Sequence, residues 1–340
     1  MVVENRSEIL FLYDVRDANP NGDPDENKPR IDEETEINLV TDVRLKRTIR
    51  DYLSNYLNCD IWVREETSSD GMRKTREEKL AEEKIESEKD AQRLLQKYVD
   101  LRLFGATIAG KKDQMKGSSD SKKGEGKKGE WVFKWTGPVQ FKFGRSLHRV
   151  EPMLVKGTSI LPSGSEKAAG TFTEVWILPY SLICFYGVIN ENAAKTTGLT
   201  DDDVSKLMDG IWNGTKNLIT RSKFGQVPRL LIKVAYSEKN YHIGDLDKGI
   251  RLLDLNGKEI DKEGKSGKEI RSIFDVKLDL TRFIGIVCKN SQKIREILVE
   301  VNEDVTFIVN GSEIKGKELV EKLGQIDELR GKVREMKIDR

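Results

Sequence analysis

Residues 7–57, SEILFLYDVRDANPNGDPDENKPRIDEETEINLVTDVRLKRTIRDYLSNYL, decide how this chain folds. Ile9 to Val15 is an almost unbroken apolar and aromatic run of strand length, as expected of a central strand covered on both faces. Asn19-Pro20-Asn21-Gly22-Asp23-Pro24 then sets turn formers one after another. Each proline fixes its own φ and pushes the residue before it out of helical space, so no regular element continues there. A helix over 41–57 follows: Thr41 has an N-cap side chain, Asp42 puts an acid at the positive end of the dipole, and Val40 with Leu45 has hydrophobic-staple spacing.

At helical pitch Leu45, Ile49, Tyr52, Leu53 and Tyr56 fall within roughly 100° of one another, and Arg44, Lys46, Arg47 and Arg50 fall outside that arc. A solvated helix face usually mixes signs, because opposite charges four residues apart support each other. Here Asp51 is the one nearby acid after Asp42. Such a face suits a polyanion, although plain solvated surface is the commoner meaning of a charge run.

Composition narrows the classes. Of 340 residues, 34% are charged and 37% hydrophobic, and no apolar span is long enough for a membrane helix. The opening MVVENRSEILF has neither a basic n-region nor an unbroken apolar stretch, so a cytoplasmic protein is expected. Cys59, Cys184 and Cys288 are odd in number and far apart, which fits reduced packing residues and not a disulfide framework. With 59 basic and 58 acidic residues the net charge is +1, so any nucleic-acid binding must come from a local patch.

Further along, Glu65 to Leu101 is almost all charge with a thin helical stripe, predicting one or two loosely packed helices. Residues 110–130, GKKDQMKGSSDSKKGEGKKGE, carry seven lysines against four acids among Gly and Ser, and read as a flexible loop. Trp131 to Phe143 reads as strand. Arg145 to Ala169 holds Arg145, Ser146, His148, Arg149, Lys156, Ser163 and Lys167 without helical period and reads as a projecting loop or long hairpin. Phe172 to Ile189 is core strand; Thr200 with Asp203 has capping-box spacing ahead of a helix over 200–219, where Gly210 and Gly214 leave room for another backbone. Arg221 to Gln226 is a basic loop before a strand at 227–236. The last third predicts strands near 251–255, 273–280 and 305–309 and helices near 292–301 and 318–336. Without its insertions the chain runs β-α-β-β-α-β, an α+β, ferredoxin-like order shared with RNA-recognition modules.

Several chemistries lack their residues. His148 and His242 are the only histidines and match no zinc spacing, GxSxG is absent, and Gly257 to Ser266 spaces its glycines two residues too far apart for a P-loop. Asp17, Asp23, Asp25, Asp32, Glu33 and Glu34 cluster in the loop after the first strand, where metal-assisted phosphodiester cleavage is conceivable. Their spacing matches no EF-hand, and turn chemistry and capping are the commoner uses, so neither a metal nor a cofactor is expected.

Read together, strand 1, NPNGDP and TDVRLKRTIRDYL resemble the CRISPR-associated backbone subunit of type I surveillance (Cascade) complexes, Cas family seven, closest to subtypes I-B and I-C. LFGATIAG at 103–110, TGPVQFKFGRSLHRVEPM at 136–153 and TRSKFGQVPRLLIKVAY at 220–236 agree, so the resemblance spans roughly residues 7–240. It implies an RNA-recognition-like palm (1–60 and 131–240) with a thumb inserted at about 145–171. It also implies a helical finger at 61–130, including the loop 110–130, and a C-terminal α/β elaboration at 241–340.

The same resemblance implies a non-catalytic, guide-RNA (crRNA) binding subunit that polymerises with copies of itself along the guide. Target DNA would be met through the guide, and capping, large and small subunits would be the other partners. The site residues it implies are Asn19 and Asn21 in the turn beside RNA, Lys46, Arg47 and Arg50 with Arg44 on the basic helix, Arg145, Ser146, His148 and Arg149 at the thumb, and Arg221, Lys223 and Gln226 before the last palm strand. The consensus sheet-face aromatics of RNA-recognition motifs are not found. Two alternatives stay open: a metal-dependent target-RNA endoribonuclease of type III-like systems that uses the acidic loop 17–34, and an RNA-free scaffold.

Overall fold

The computed structural model describes residues 1–68, 70–85, 87–111, 130–158 and 172–338. The first strand, β1 (Ser7–Ala18), is followed by β2 (Ile31–Asp32), β3 (Ile37–Val40) and α1 (Asp42–Asn55). Then come α2 (Arg76–Glu82), α3 (Glu88–Lys97), α4 (Val99–Phe104), β4 (Gly105–Lys111), β5 (Glu130–Thr136), β6 (Val139–Phe141), β7 (Gly144–Arg149), β8 (Met153–Thr158) and β9 (Phe172–Ile189). After α5 (Glu191–Thr197), α6 (Asp201–Lys216) and β10 (Gln226–Tyr236), the last third holds β11 (Arg251–Asp254), β12 (Val276–Asp279), α7 (Thr281–Lys289), β13 (Ile294–Val301), β14 (Thr306–Val309), β15 (Ser312–Lys315), α8 (Leu319–Gly324) and β16 (Val333–Glu335).

β1 is the centre. It pairs antiparallel with β9 on one side and β10 on the other, inside a ten-stranded sheet ordered β16-β13-β10-β1-β9-β7-β3-β2, with β6 and β8 also on β9. Its apolar run is continuous because successive residues serve opposite faces. Ile9, Phe11, Tyr13 and Val15 enter one core with Leu45, Ile49 and Leu53 of α1 and Leu207, Met208 and Ile211 of α6. Leu10 and Leu12 enter a second core with Leu246, Leu278, Phe283 and Phe307 of the last third. The helices therefore cover one face of the sheet and the C-terminal third the other. Buried Glu8 ties that third to the sheet: its carboxylate accepts from the hydroxyls of Tyr186 and Tyr236, and from the N–H groups of Ile243 (2.9 Å) and Gly244 (2.8 Å).

The expected cap holds: Thr41 Oγ1 accepts from Arg44 N–H, and the Thr200–Asp203 capping box forms in both directions. Helices α1 and α6 meet at the two glycines, where a Cβ on Gly210 would stand 2.9 Å from Ile49 Cγ2 and one on Gly214 3.0 Å from Tyr52 Cβ. The charged stretch after α1 is better anchored than its thin stripe predicts. Trp62, Leu80, Ala91, Leu94, Leu101, Ile108, Trp131 and Trp135 form a third core of their own. Of the loop 110–130, residues 112–129 lie outside the described residues, as do 159–171 of the segment read as loop or hairpin; its described part forms β7 and β8.

Two expectations are corrected. The helix predicted near 292–301 is strand β13, because Ile294, Ile297 and Val299 are buried β-branched side chains that pair their backbone with β10. The helix predicted over 318–336 is only the short α8, since Gly331 adopts φ +76° and the chain then returns to the sheet as β16. Among the described residues no helix is long and apolar enough to cross a membrane.

Candidate nucleic-acid interface

One corner of the large sheet gathers residues from three parts of the chain. Where β1 ends, Asn19 N–H donates to the Ser222 carbonyl (2.8 Å), its Nδ2 donates to the Asn27 carbonyl (2.6 Å), and its own carbonyl accepts from Lys223 Nζ (2.9 Å). Asn21 Oδ1 accepts from both Thr41 N–H and Thr41 Oγ1, at 2.9 Å each, which fastens the NPNGDP turn to the start of α1. Gln226 is buried and donates to the Lys223 carbonyl (3.0 Å). Asn19, Asn21 and Gln226 thus hold the corner together through their own hydrogen bonds.

Two cations belong to this junction, Arg44 from α1 and Lys223 from the loop before β10. Arg44 leans back along α1, its Nη2 donating to Thr48 Oγ1 (3.0 Å). Burial lowers its proton affinity, and Asp51, further along the helix, partly restores it. Lys223 is pushed down to about 8 by burial first and by the charge of Arg44 second. Tyr13 projects from β1 toward the same arginine, and burial holds its hydroxyl above the usual range. Arg221 and Arg16 are exposed at the rim, Arg16 3.7 Å from Asp17, and Lys28 Nζ sits 5.0 Å above the Trp176 ring. Three buried polar atoms here have no partner: Asn19 Oδ1, Arg30 Nε and Arg44 Nε.

The rest of α1 corrects the expected unbalanced cationic face. Lys46 pairs with Asp42 (3.0 Å) and lies 5.6 Å from the Phe104 ring. Arg50 pairs with fully buried Asp100 (2.9 Å) over the same ring at 4.9 Å, and Asp100 also accepts from Trp62 N–H (2.8 Å) and Val63 N–H (3.0 Å). Arg47 pairs with Asp51 (2.8 Å) at an exposed position. Lys46 and Arg50 are struts between α1 and α4.

At the expected thumb entrance, strand alternation divides the residues. Arg145 is 57% exposed and 3.4 Å from Asp32, and Arg149 binds Asp261 through Nε (3.0 Å) and its own N–H (2.8 Å). Ser146 and His148 point inward and are corrected as surface contacts. Ser146 Oγ accepts from Asn38 N–H and donates to the His148 carbonyl, and His148 Nε2 accepts from Leu182 N–H (3.2 Å) at 1% exposure. Burial lowers the proton affinity of that imidazole, so it is neutral. The acidic loop is spent on turns: Asp23 Oδ1 accepts from Asp25 and Glu26 N–H groups, and Asp32 from Thr35 N–H. Among the described residues no cluster of three His, Cys, Asp or Glu side chains could hold a metal. Arg16, Lys28, Arg30 and Trp176 join the corner without having been singled out. They sit in stretches read for their acids and their apolar run, and the basic residues flanking a turn were the available signal.

Fold and corner define a mixed α/β protein whose large sheet is covered on both faces and at one end of which basic side chains from β1, α1 and the loop before β10 gather. The chain belongs to the CRISPR-associated protein Cas7 family, whose model matches residues 5–281. A relative from Haloferax volcanii, described as CRISPR-associated protein Cas7, is 35% identical over 302 residues, which cover 84% of this chain and 83% of the relative. The fold is also similar to a chain of a solved CRISPR RNA-guided surveillance complex in a pre-nicking state, with a TM-score of 0.50 and 10% identity over 89% of this chain and 96% of that one. A chain of a second structure titled CRISPR RNA-guided surveillance complex gives 0.48 and 11%, over 88% and 89%.

Proposed function

We propose that the chain is a guide-RNA-binding backbone subunit of a type I CRISPR surveillance (Cascade) complex, polymerising along the guide and offering it to target DNA while cutting nothing itself. The observation that carries this reading is the junction at the rim of the sheet, where Lys223 Nζ binds the Asn19 carbonyl (2.9 Å) and Asn21 fastens the same turn to the start of α1 that carries Arg44, beside exposed Arg221 and Arg16. Backbone contacts of this kind hold any guide sequence and leave base edges free to pair.

The strand order β10-β1-β9-β7, with α1 and α6 on one face, supports a ferredoxin-like palm. In RNA-recognition modules the opposite face stacks bases; here residues after 241 cover it, so the guide is held at the rim. In this proposal the palm (1–60 and 131–240), finger (61–130), thumb (about 145–171) and C-terminal elaboration (241–340) are assigned on the sequence resemblance. Other copies of the chain and the capping, large and small subunits are its partners in the cytoplasm.

Purification of the full chain with its complex tests the reading. A 260/280 ratio well above that of protein, with extractable RNA of uniform length, is expected; a nucleic-acid-free particle would leave the scaffold reading. Incubation of the loaded particle with labelled complementary RNA and Mg²⁺ or Mn²⁺ should give no regular cuts. Cuts abolished by Asp23→Asn or Asp25→Asn would establish the nuclease instead.

A further inference from the structure

We propose that the cavity between α1, α6 and the turn after β13 is a seat for an organic cation, with carboxylates for an ammonium or guanidinium head and aromatic faces for the carbon chain behind it. The inference stands apart from the guide-binding reading, because walls that carry carboxylates repel phosphate.

The cavity has a volume of about 630 Å³, a size usual for small-molecule sites. Three aromatic side chains line it. Tyr52 and Tyr56 lie one turn apart on α1 and stack with their ring centroids 5.0 Å apart, and Trp212 comes from α6. Tyr52 and Trp212 are buried, whereas Tyr56 is 53% exposed, so the stacked pair leads from the interior to the surface. The face of such a ring is negative, and an alkylammonium or guanidinium within about 6 Å of its centroid is drawn to it.

Glu300, Glu303 and Asp304 bring carboxylates to the same cavity, and among the described residues Lys216 is the one cation in its lining. The turn that carries two of these acids is held in place. Arg229 Nη1 donates to Asn302 Oδ1 (2.8 Å) and reaches Asp304 Oδ2 (3.4 Å), Asn302 N–H donates to the Arg229 carbonyl (3.1 Å), and Asp304 N–H donates to Asn302 Oδ1 (3.1 Å). Arg229 is itself bound by buried Asp14 (2.9 Å), so its charge is matched before it meets Asp304. Glu300 is buried and Glu303 exposed, which places negative charge both inside the cavity and at its lip. The three acids do not form a group that could hold a metal ion. Rings and carboxylates together suit a cation that has a carbon stem.

Titration calorimetry of the full chain, freed of nucleic acid until its 260/280 ratio is that of protein, tests the seat with two probes at matched ionic strength: spermidine and a capped tripeptide with a central arginine. Saturable binding to a single site is expected, with KCl giving no such heat. Tighter binding of spermidine would assign the seat to a free polyamine, and tighter binding of the tripeptide to an arginine side chain of a partner protein. Glu303→Gln and Tyr56→Ala, both at exposed positions, should weaken binding about fivefold and about threefold. Trp212→Phe should abolish the tryptophan fluorescence change that accompanies binding. No binding of either probe, heat reproduced by KCl, affinities unchanged in both exposed variants, or a fluorescence change that survives in Trp212→Phe would overturn the proposal.

Discussion

The two flanks of α1 carry the same kinds of side chain and do opposite things. On one flank Lys46 and Arg50 are neutralised by Asp42 and Asp100 and laid over Phe104; on the other Arg44 has no ion pair of its own among the described residues, donates to Thr48 Oγ1 (3.0 Å) and feels Asp51 only from further along the helix. A basic helix is therefore not one surface. Whether a cation is spent on packing depends on the carboxylate it meets, which for Lys46 lies one turn away on the same helix and for Arg50 lies 50 positions on.

Depriving the strut flank of its acid should have the largest effect. Asp100→Ala strands Arg50, which is 11% exposed, and leaves two N–H groups without an acceptor. A loss of about 3–5 kcal/mol in urea unfolding is expected; a loss below about 1 kcal/mol would mean that the two flanks differ less than their geometry implies.

Removing cations from the other flank should change binding more than stability. Arg44→Gln or Lys223→Gln should each weaken RNA binding about tenfold and reduce the salt slope by about one unit. A slope equal to the wild type in a folded variant would break the distinction.

Stability against pH sharpens the comparison next. Lys223 falls to about 8 in the folded chain from an ordinary 10.5, so the unfolded chain binds more protons between those values. The lysine's contribution to stability must then rise with pH across that window, by about 1 kcal/mol after allowing for partial solvent exposure. Urea midpoints of wild type and Lys223→Gln measured side by side should converge toward alkaline pH. The smallest effect belongs to Lys46→Ala, which should leave the RNA salt slope unchanged and cost at most about 1 kcal/mol.

Much of the frame was legible in the residues. The run Ile9 to Val15 announced a strand covered on both faces, Thr41 and Thr200 announced their helices, and Gly210 and Gly214 announced a close approach. The charge balance of α1 was not legible, because Asp100 stands 50 positions from Arg50 and only the fold brings them together. Ser146 and His148 were misplaced for a different reason: a period-two strand turns alternate side chains inward, and the stretch from Arg145 was read as a projecting loop or long hairpin without assigning faces. The β-branched run of β13 was read at helical period, and pairing with β10 decided otherwise. At the corner the loops were visible but their junction was not, since the contacts from Asn19 to Ser222 and Lys223 join segments some two hundred residues apart.

The glycine contact between α1 and α6 has a mechanical consequence. Arg44 rides on α1, and Lys223 lies in the loop that follows α6, so the width of the helix pair works as a gauge block for the interval between the two charges. A methyl group at Gly214, 3.0 Å from Tyr52 Cβ, would push the helices apart by a few tenths of an ångström. That small displacement, made at a position with no charge of its own, would change the spacing of the basic side chains carried by α1 and by the loop after α6.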